Sequence, residues 1–282
     1  MGAAVEALER IRMRSVLGID AAWTQKNPSG IALAMETASG WRLVEVCSSW
    51  EEFLGRKLGA FSAAGPKATE ILKACDVRLG RAVDLIAVDM PLSQLPITGR
   101  RASDDAVSRQ YGSRKCPTHS PSALRPGAVS ASLVQAFGSC GYRLRTTPPV
   151  QSGLIEVYPH PALVELAGAP ERLKYKCGKV RTYWPEKSPE ERLKCLRYEW
   201  SEIVRMLDDV FVGGVDSKLP QMGDEMTGST RKAFEDALDA IVCAWVGICV
   251  LAGTAKAYGD DASAIWIPVN RARSPGAEAP SL

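Results

Sequence analysis

Ser15-Val-Leu-Gly-Ile-Asp20 and Val83-Asp-Leu-Ile-Ala-Val-Asp89 share one form, a short apolar run that closes on an aspartate. Runs of this length, bounded by turn-forming residues, read as buried strands. In an open α/β sheet, neighbouring parallel strands present their carboxyl ends on one edge, where ligands bind. An aspartate at each end can leave the core and meet the other across the sheet. Two such carboxylates repel, and both stay ionised comfortably only with a divalent cation between them. Oxygen-only ligands of this kind suit magnesium or manganese. The competing reading is that each aspartate merely closes a strand or turn, where the residue is common.

The chain around these runs reads as alternating strand and helix. A polar turn from Gln25 to Gly30 leads into Ile31-Ala-Leu-Ala-Met35, and a turn at Ser39-Gly40 leads into Trp41-Arg-Leu-Val-Glu-Val-Cys47. With the first run these make an antiparallel meander. Pro66 to Gly80 is a helix, with Ala68, Ile71, Leu72, Cys75 and Leu79 at helical spacing. Leu154 to Tyr158 and Ala264 to Pro268 are further strands. Pro189 to Val210 is a long helix with Ser188 as its cap and Glu190 and Glu191 in its first turn. A final helix starts at Ser229 or Thr230 and runs to about Ala252. The order predicts an α/β domain over residues 14–268, a mixed sheet with helices on both faces. A short helix-like lead (residues 1–13, from Val5) precedes it, and a disordered tail (269–282) follows.

The final helix carries the second clue. In Phe234-Glu-Asp236-Ala-Leu-Asp239-Ala240, the two aspartates stand three apart and share a face. From Ala240 the sequence is apolar almost all round, so the helix is buried there. An acid at that border is costly unless solvated, paired or metal-bound. Complementing the positive helix N-terminus accounts for Glu235 and Asp236 but poorly for Asp239.

Between Gly99 and Pro149 regularity weakens, and eight basic residues face only Asp104 and Asp105, a local charge of +6. This basic insertion reads as long loops around one helix near Ser130 to Cys140. Arg100, Arg101, Arg109, Arg114, Lys115 and Arg125 are its candidates for holding a nucleic-acid backbone, since arginine forks match phosphate. A solubilising surface loop is the plainer alternative. His160, between Pro159 and Pro161, could donate a proton or orient an acid, or be a packed turn residue. His119 and Trp23 are weaker candidates, the tryptophan for stacking on a base.

Bulk properties narrow the class. The 282 residues are 46% hydrophobic and 24% charged, with a net charge of +3 and a pI near 8.4. A core of normal size needs no staples, and the mild basicity permits a nucleic-acid partner without requiring one. Eight scattered cysteines contain no C-x-x-C pair, against a disulfide framework or zinc site. The first thirteen residues lack the apolar core of a signal peptide. The longest apolar stretch, Ala240 to Gly253, falls short of the roughly 20 residues of a membrane helix. The expectation is a cytoplasmic protein without a membrane partner, and a homodimer is compatible with the sequence.

Gly18-Ile-Asp-Ala-Ala-Trp-Thr-Gln-Lys-Asn-Pro-Ser-Gly-Ile-Ala32, Ile86-Ala-Val-Asp-Met-Pro-Leu92, Glu156-Val-Tyr-Pro-His160 and Asp236-Ala-Leu-Asp-Ala240 resemble, in order, the signatures of the domain of unknown function 429 family. That family is regarded as predicted nucleases of the ribonuclease-H-like superfamily. The resemblance implies an acid on the first strand, a second at the end of the fourth, and one or two on a late helix. Asp20, Asp89 and Asp239 match, with Asp236 as companion, and the paired-acid helix is similar to that of Holliday-junction resolvases. Glu156 belongs to the family signature as an extra ligand or a structural partner. The chemistry implied is two-metal phosphodiester hydrolysis with Mg2+ or Mn2+, the ions roughly 3.5–4 Å apart. Alternatives are a nucleic-acid-binding or regulatory module without catalysis, and an ATP-dependent phosphotransferase. The phosphotransferase needs a second glycine-rich phosphate loop that the sequence lacks.

Overall fold

The computed structural model describes residues 13–23, 28–57, 66–223 and 226–269. The expected lead (except Met13), most of the turn before Gly30, and the tail beyond residue 269 lie outside them. β1 (Ser15–Asp20), β2 (Gly30–Thr37) and β3 (Gly40–Cys47) form the antiparallel meander read from the sequence. β4 (Leu85–Val88), β5 (Gly153–Val157) and β7 (Ala264–Pro268) continue from β1 in parallel, and β6 (Ala255–Gly259) closes the edge antiparallel to β7. The result is one mixed seven-stranded sheet in the order β3-β2-β1-β4-β5-β7-β6.

Alternation along the strands divides the core in two. Leu17, Ile19, Leu33, Ile86 and Val88 meet α1 (Trp50–Phe53), α2 (Ala68–Leu79) and α4 (Gly127–Ser139) on one face. Val16, Ala32, Ala34, Ala87 and Ile155 meet α5 (Pro159–Ala167), α6 (Val180–Tyr183), α7 (Pro189–Asp208) and α8 (Gly228–Leu251) on the other. The second face is built of small residues because α8 lies directly on the strands. A Cβ on Gly18 would stand 2.2 Å from the Ala240 carbonyl oxygen, and one on Gly30 would stand 2.0 Å from that of Asp236. Only glycine permits such a backbone-to-backbone approach. This contact sets the height of α8 above β1.

Three elements depart from the expectation. The basic insertion is more regular than expected, because α3 (Ala102–Tyr111) occupies it as well as α4. Asp104 accepts the Arg101 backbone N–H at 2.9 Å, and Val107 and Tyr111 bury one helical stripe. α5 begins with Pro159 and holds His160 and Pro161 in its first turn, so the two prolines open a helix instead of forming an isolated turn. A missing N–H costs nothing there. β6 was not expected; its alternating Ala-Lys-Ala-Tyr run is half-buried and carries little apolar signal. The last α/β helices match closely: Ser188 and Glu191 cap α7 reciprocally, and Thr227 caps α8. Among the described residues, no helix is long and apolar enough to cross a membrane.

Candidate active site

β1 and β4 run in parallel register from Val16 opposite Leu85 to Ile19 opposite Val88. The next rung is closed by the Asp89 N–H, which donates to the Ile19 carbonyl at 2.9 Å. Asp20 and Asp89 therefore leave the sheet side by side. Asp20 also pairs with Gly30, the residue on which the backbone of Asp236 rests. Sheet register and one helix contact thus deliver three carboxylates to one place. They face a cleft of about 700 Å³, whose other wall carries Trp23, His119, Arg125 and Lys232.

The electrostatics follow from crowding. Burial, then the neighbouring Asp239, raise the Asp20 carboxyl well above its usual range. Burial also raises Asp236, against the Lys232 ammonium and a side-chain hydrogen bond with Asp20. Burial pushes Asp89 up to about 7, against the pull of the Lys176 ammonium. Neither Asp20 nor Asp89 forms an ion pair among the described residues.

The acids of α8 divide differently from the expected pairing. Asp236 turns toward the cleft, where Lys232, one turn earlier, bonds to it. Asp239 is fully buried and stands off the cleft wall. Its Oδ1 accepts from the Tyr175 hydroxyl at 2.8 Å and its Oδ2 from the Lys176 ammonium. Glu235, one turn before Asp239, accepts the Cys177 N–H at 2.5 Å and lies 3.6 Å from Lys176. The shared face is that of Glu235 and Asp239, four apart, and three consecutive residues, Tyr175 to Cys177, clamp it. Sequence reasoning passed over this segment. Its only signal was a Tyr-Lys pair in an otherwise basic loop.

Glu156 is not free to bind a ligand. Both of its oxygens are taken by Arg101, at 2.6 and 2.8 Å, and one also accepts the Leu92 N–H at 2.7 Å. Arg101 in turn bonds Asp104 and the Leu92 carbonyl. Of the two roles open to Glu156, this geometry favours the structural partner, and Arg101, 9% exposed, is turned inward to it and away from the surface where a nucleic acid would lie. The buried network holds the segment after β4, and with it Asp89.

The other basic candidates scatter. Arg114 is bound to Glu165 and the Ala169 carbonyl, Lys115 pairs with Glu171, and Arg100 pairs with Asp105. Glu156, Glu165 and Glu171 therefore consume half of the charge that looked uncompensated in the local sequence. Arg109 is exposed away from the cleft wall. Arg125 alone of the six lines the cleft, its guanidinium 5.9 Å from the Trp23 ring centroid. His160 is buried behind the site between Tyr158 and Tyr175, 5.5 and 5.3 Å from their rings. Burial and the nearby Lys176 and Arg172 cations hold it well below its usual range, hence neutral. His119, the weaker candidate, is the histidine at the cleft, edge-on to Trp23 at 6.5 Å.

Among the described residues, no three His, Cys, Asp or Glu side chains close on one point as a preformed metal cage. The donor set of Asp20, Asp89 and Asp236 nevertheless fits a hard divalent cation. It offers only oxygens and opens onto a cleft, and burial raises all three carboxyls, a cost that a bound cation would relieve.

A family model described as "Protein of unknown function (DUF429)" matches residues 18–264, from the glycine beneath α8 to the first residue of β7. No curated protein and no solved structure matches the chain. The match covers the carboxyl end of β1, β2 to β6, both helical layers and every cleft residue named above, and the chain belongs to the DUF429 family.

Proposed function

We propose that this chain is a metal-dependent nuclease with a ribonuclease-H-like sheet, hydrolysing phosphodiester bonds of DNA or RNA at the end of β1 and β4. One observation carries the reading: Asp20 and Asp89 stand side by side on adjacent parallel strands, open to a cleft and without an ion pair among the described residues. Asp236, laid over Gly30, supplies the third acid. These three would hold Mg2+ or Mn2+, which would activate water near neutral pH and offset charge on the phosphate. Arg125 and Lys232 on the cleft wall attract the phosphate backbone, and the Trp23 ring offers a surface to a base. The test is cleavage of single-stranded, duplex and branched substrates with either metal. Activity lost in Asp20→Asn supports the site; metal-dependent cleavage that survives the substitution removes it.

A second reading, a nucleic-acid-binding module without catalysis, is favoured by Lys176 and Lys232, which already neutralise part of the acid cluster. Salt-sensitive binding with neither turnover nor metal uptake would select it.

A further inference from the structure

The clamp on α8 bears on how many ions such a site takes. Lys176 enters the acid cluster from outside the sheet and is fixed on both sides. Tyr175 is fully buried, with its hydroxyl on Asp239 and its carbonyl accepting the Trp200 indole N–H at 2.8 Å. Cys177 is tied through its backbone N–H to Glu235. The ammonium between them bonds Asp239, lies within ion-pair distance of Glu235, and is the strongest cationic influence on both Asp20 and Asp89.

A second metal ion needs ligands of its own beside the first. The carboxylates on that side are Asp239 and Glu235, and each already has both oxygens engaged. Asp239 serves Tyr175 and Lys176; Glu235 serves Cys177, Lys176 and Lys232. An ion arriving there would also meet a fixed positive charge. The cluster joins five carboxyl groups to two ammoniums, and the acids that face the cleft are Asp20, Asp89 and Asp236. Such a set can serve one magnesium-like ion, which usually keeps several waters.

We propose that the site binds a single divalent cation, at Asp20, Asp89 and Asp236, and that the ammonium of Lys176, held by Asp239 and Glu235, stands permanently in place of a second. This rests on the metal-dependent reading above and departs from the two-ion expectation. Lys176 is a positioning residue: it orients Asp239 and supplies fixed charge.

The experiment counts Mn2+ bound to the full-length chain, by titration calorimetry and by the loss of free-ion electron paramagnetic resonance signal, without substrate. One ion per wild-type chain is expected. Lys176→Met should take up a second, weaker ion on the oxygens of Asp239, and Lys176→Arg, which keeps the charge, should still bind one. Two ions in the wild-type chain overturn the proposal while leaving the nuclease reading intact. One ion in both wild type and a folded Lys176→Met overturns the role given to the ammonium. No ion in the wild type overturns the metal site itself. The wild-type count and the arginine variant decide the matter if Lys176→Met fails to fold.

Discussion

The guanidinium of Arg101 closes on the carboxylate of Glu156 through two hydrogen bonds, 2.6 Å to Oε2 and 2.8 Å to Oε1, with both side chains buried. The same pair grips Leu92 by its N–H and its carbonyl, three residues beyond Asp89. Arg101→Met leaves Glu156 and Asp104 buried without a cation, at a cost of about 3–5 kcal/mol. A fall in the urea midpoint reads this out. Glu156→Gln keeps Arg101 paired with Asp104 and is milder. If Glu156 positions without ligating, its amide variant retains Mn2+ affinity at a lowered midpoint; lost affinity with an unchanged midpoint would make it a ligand.

The raised acids give the metal-free protein a characteristic pH response. Burial pushes Asp89 up to about 7, and Asp20 is raised well above the usual carboxylate range. An unfolded aspartate titrates near 4, so between about pH 4 and 7 the folded chain binds more protons than the unfolded one. The stability that Asp89 contributes is complete below that window and is lost as pH rises through it. Urea midpoints should therefore fall over this range more steeply in the wild type than in Asp89→Asn. Parallel curves for the two would show that Asp89 is not raised. Mn2+ affinity should climb over the same window, because the ligands must shed protons.

Arg125 and Arg114 are a matched pair of arginines with opposite fates. The first lines the cleft beside Trp23; the second is bound to Glu165 and the Ala169 carbonyl. Arg125→Ala should weaken single-strand binding and reduce the slope of log affinity against log salt by about 1. Arg114→Ala should leave that slope alone and lower the melting temperature. Equal effects of both on the salt slope would mean that the whole insertion, and not the cleft wall, meets the nucleic acid.

Gly18→Ala tests the contact that sets the height of α8. The new methyl would meet the Ala240 carbonyl at 2.2 Å and the Ala244 nitrogen at 2.4 Å. Backbone must move, and such overpacking costs about 1–3 kcal/mol or more. The expected result is a lowered melting temperature together with weaker Mn2+ binding, as Asp236 lifts from Asp20. A destabilised variant with unchanged Mn2+ affinity would show that the acids do not depend on this approach.

How much of this was legible in the sequence depended on how local each signal was. Strands ending in Asp20 and Asp89 declared themselves through apolar runs, and α7 through its cap. Register and order then followed for the meander, where adjacent runs pair. The α3 helix hid because its stripe is only Val107 and Tyr111, amid arginines that suggested loop. The cluster was half visible. That acids gather could be read from α8, but whether Asp239 faces a cleft or a lysine depends on where residues 175–177 dock, some sixty positions earlier in the chain. The charge of the insertion misled for a similar reason: Glu156, Glu165 and Glu171, which neutralise three of its cations, lie beyond its end in sequence.

The seat of α8 on Gly18 and Gly30 also has a consequence in time. During synthesis β1 and β4 emerge early, whereas Asp236 follows Asp20 by 216 positions. Until α8 arrives, the small-residue face of β1 and β2 has no cover, and Asp20 lacks the neighbouring Asp236. Contacts of such long sequence separation form late and slowly. The cleft is therefore a property of a chain that already includes α8. A ribosome-bound fragment ending before Gly228 would hold Asp20 and Asp89 but neither the third acid nor the helix that brings it down, so the site assembles only once α8 has been made.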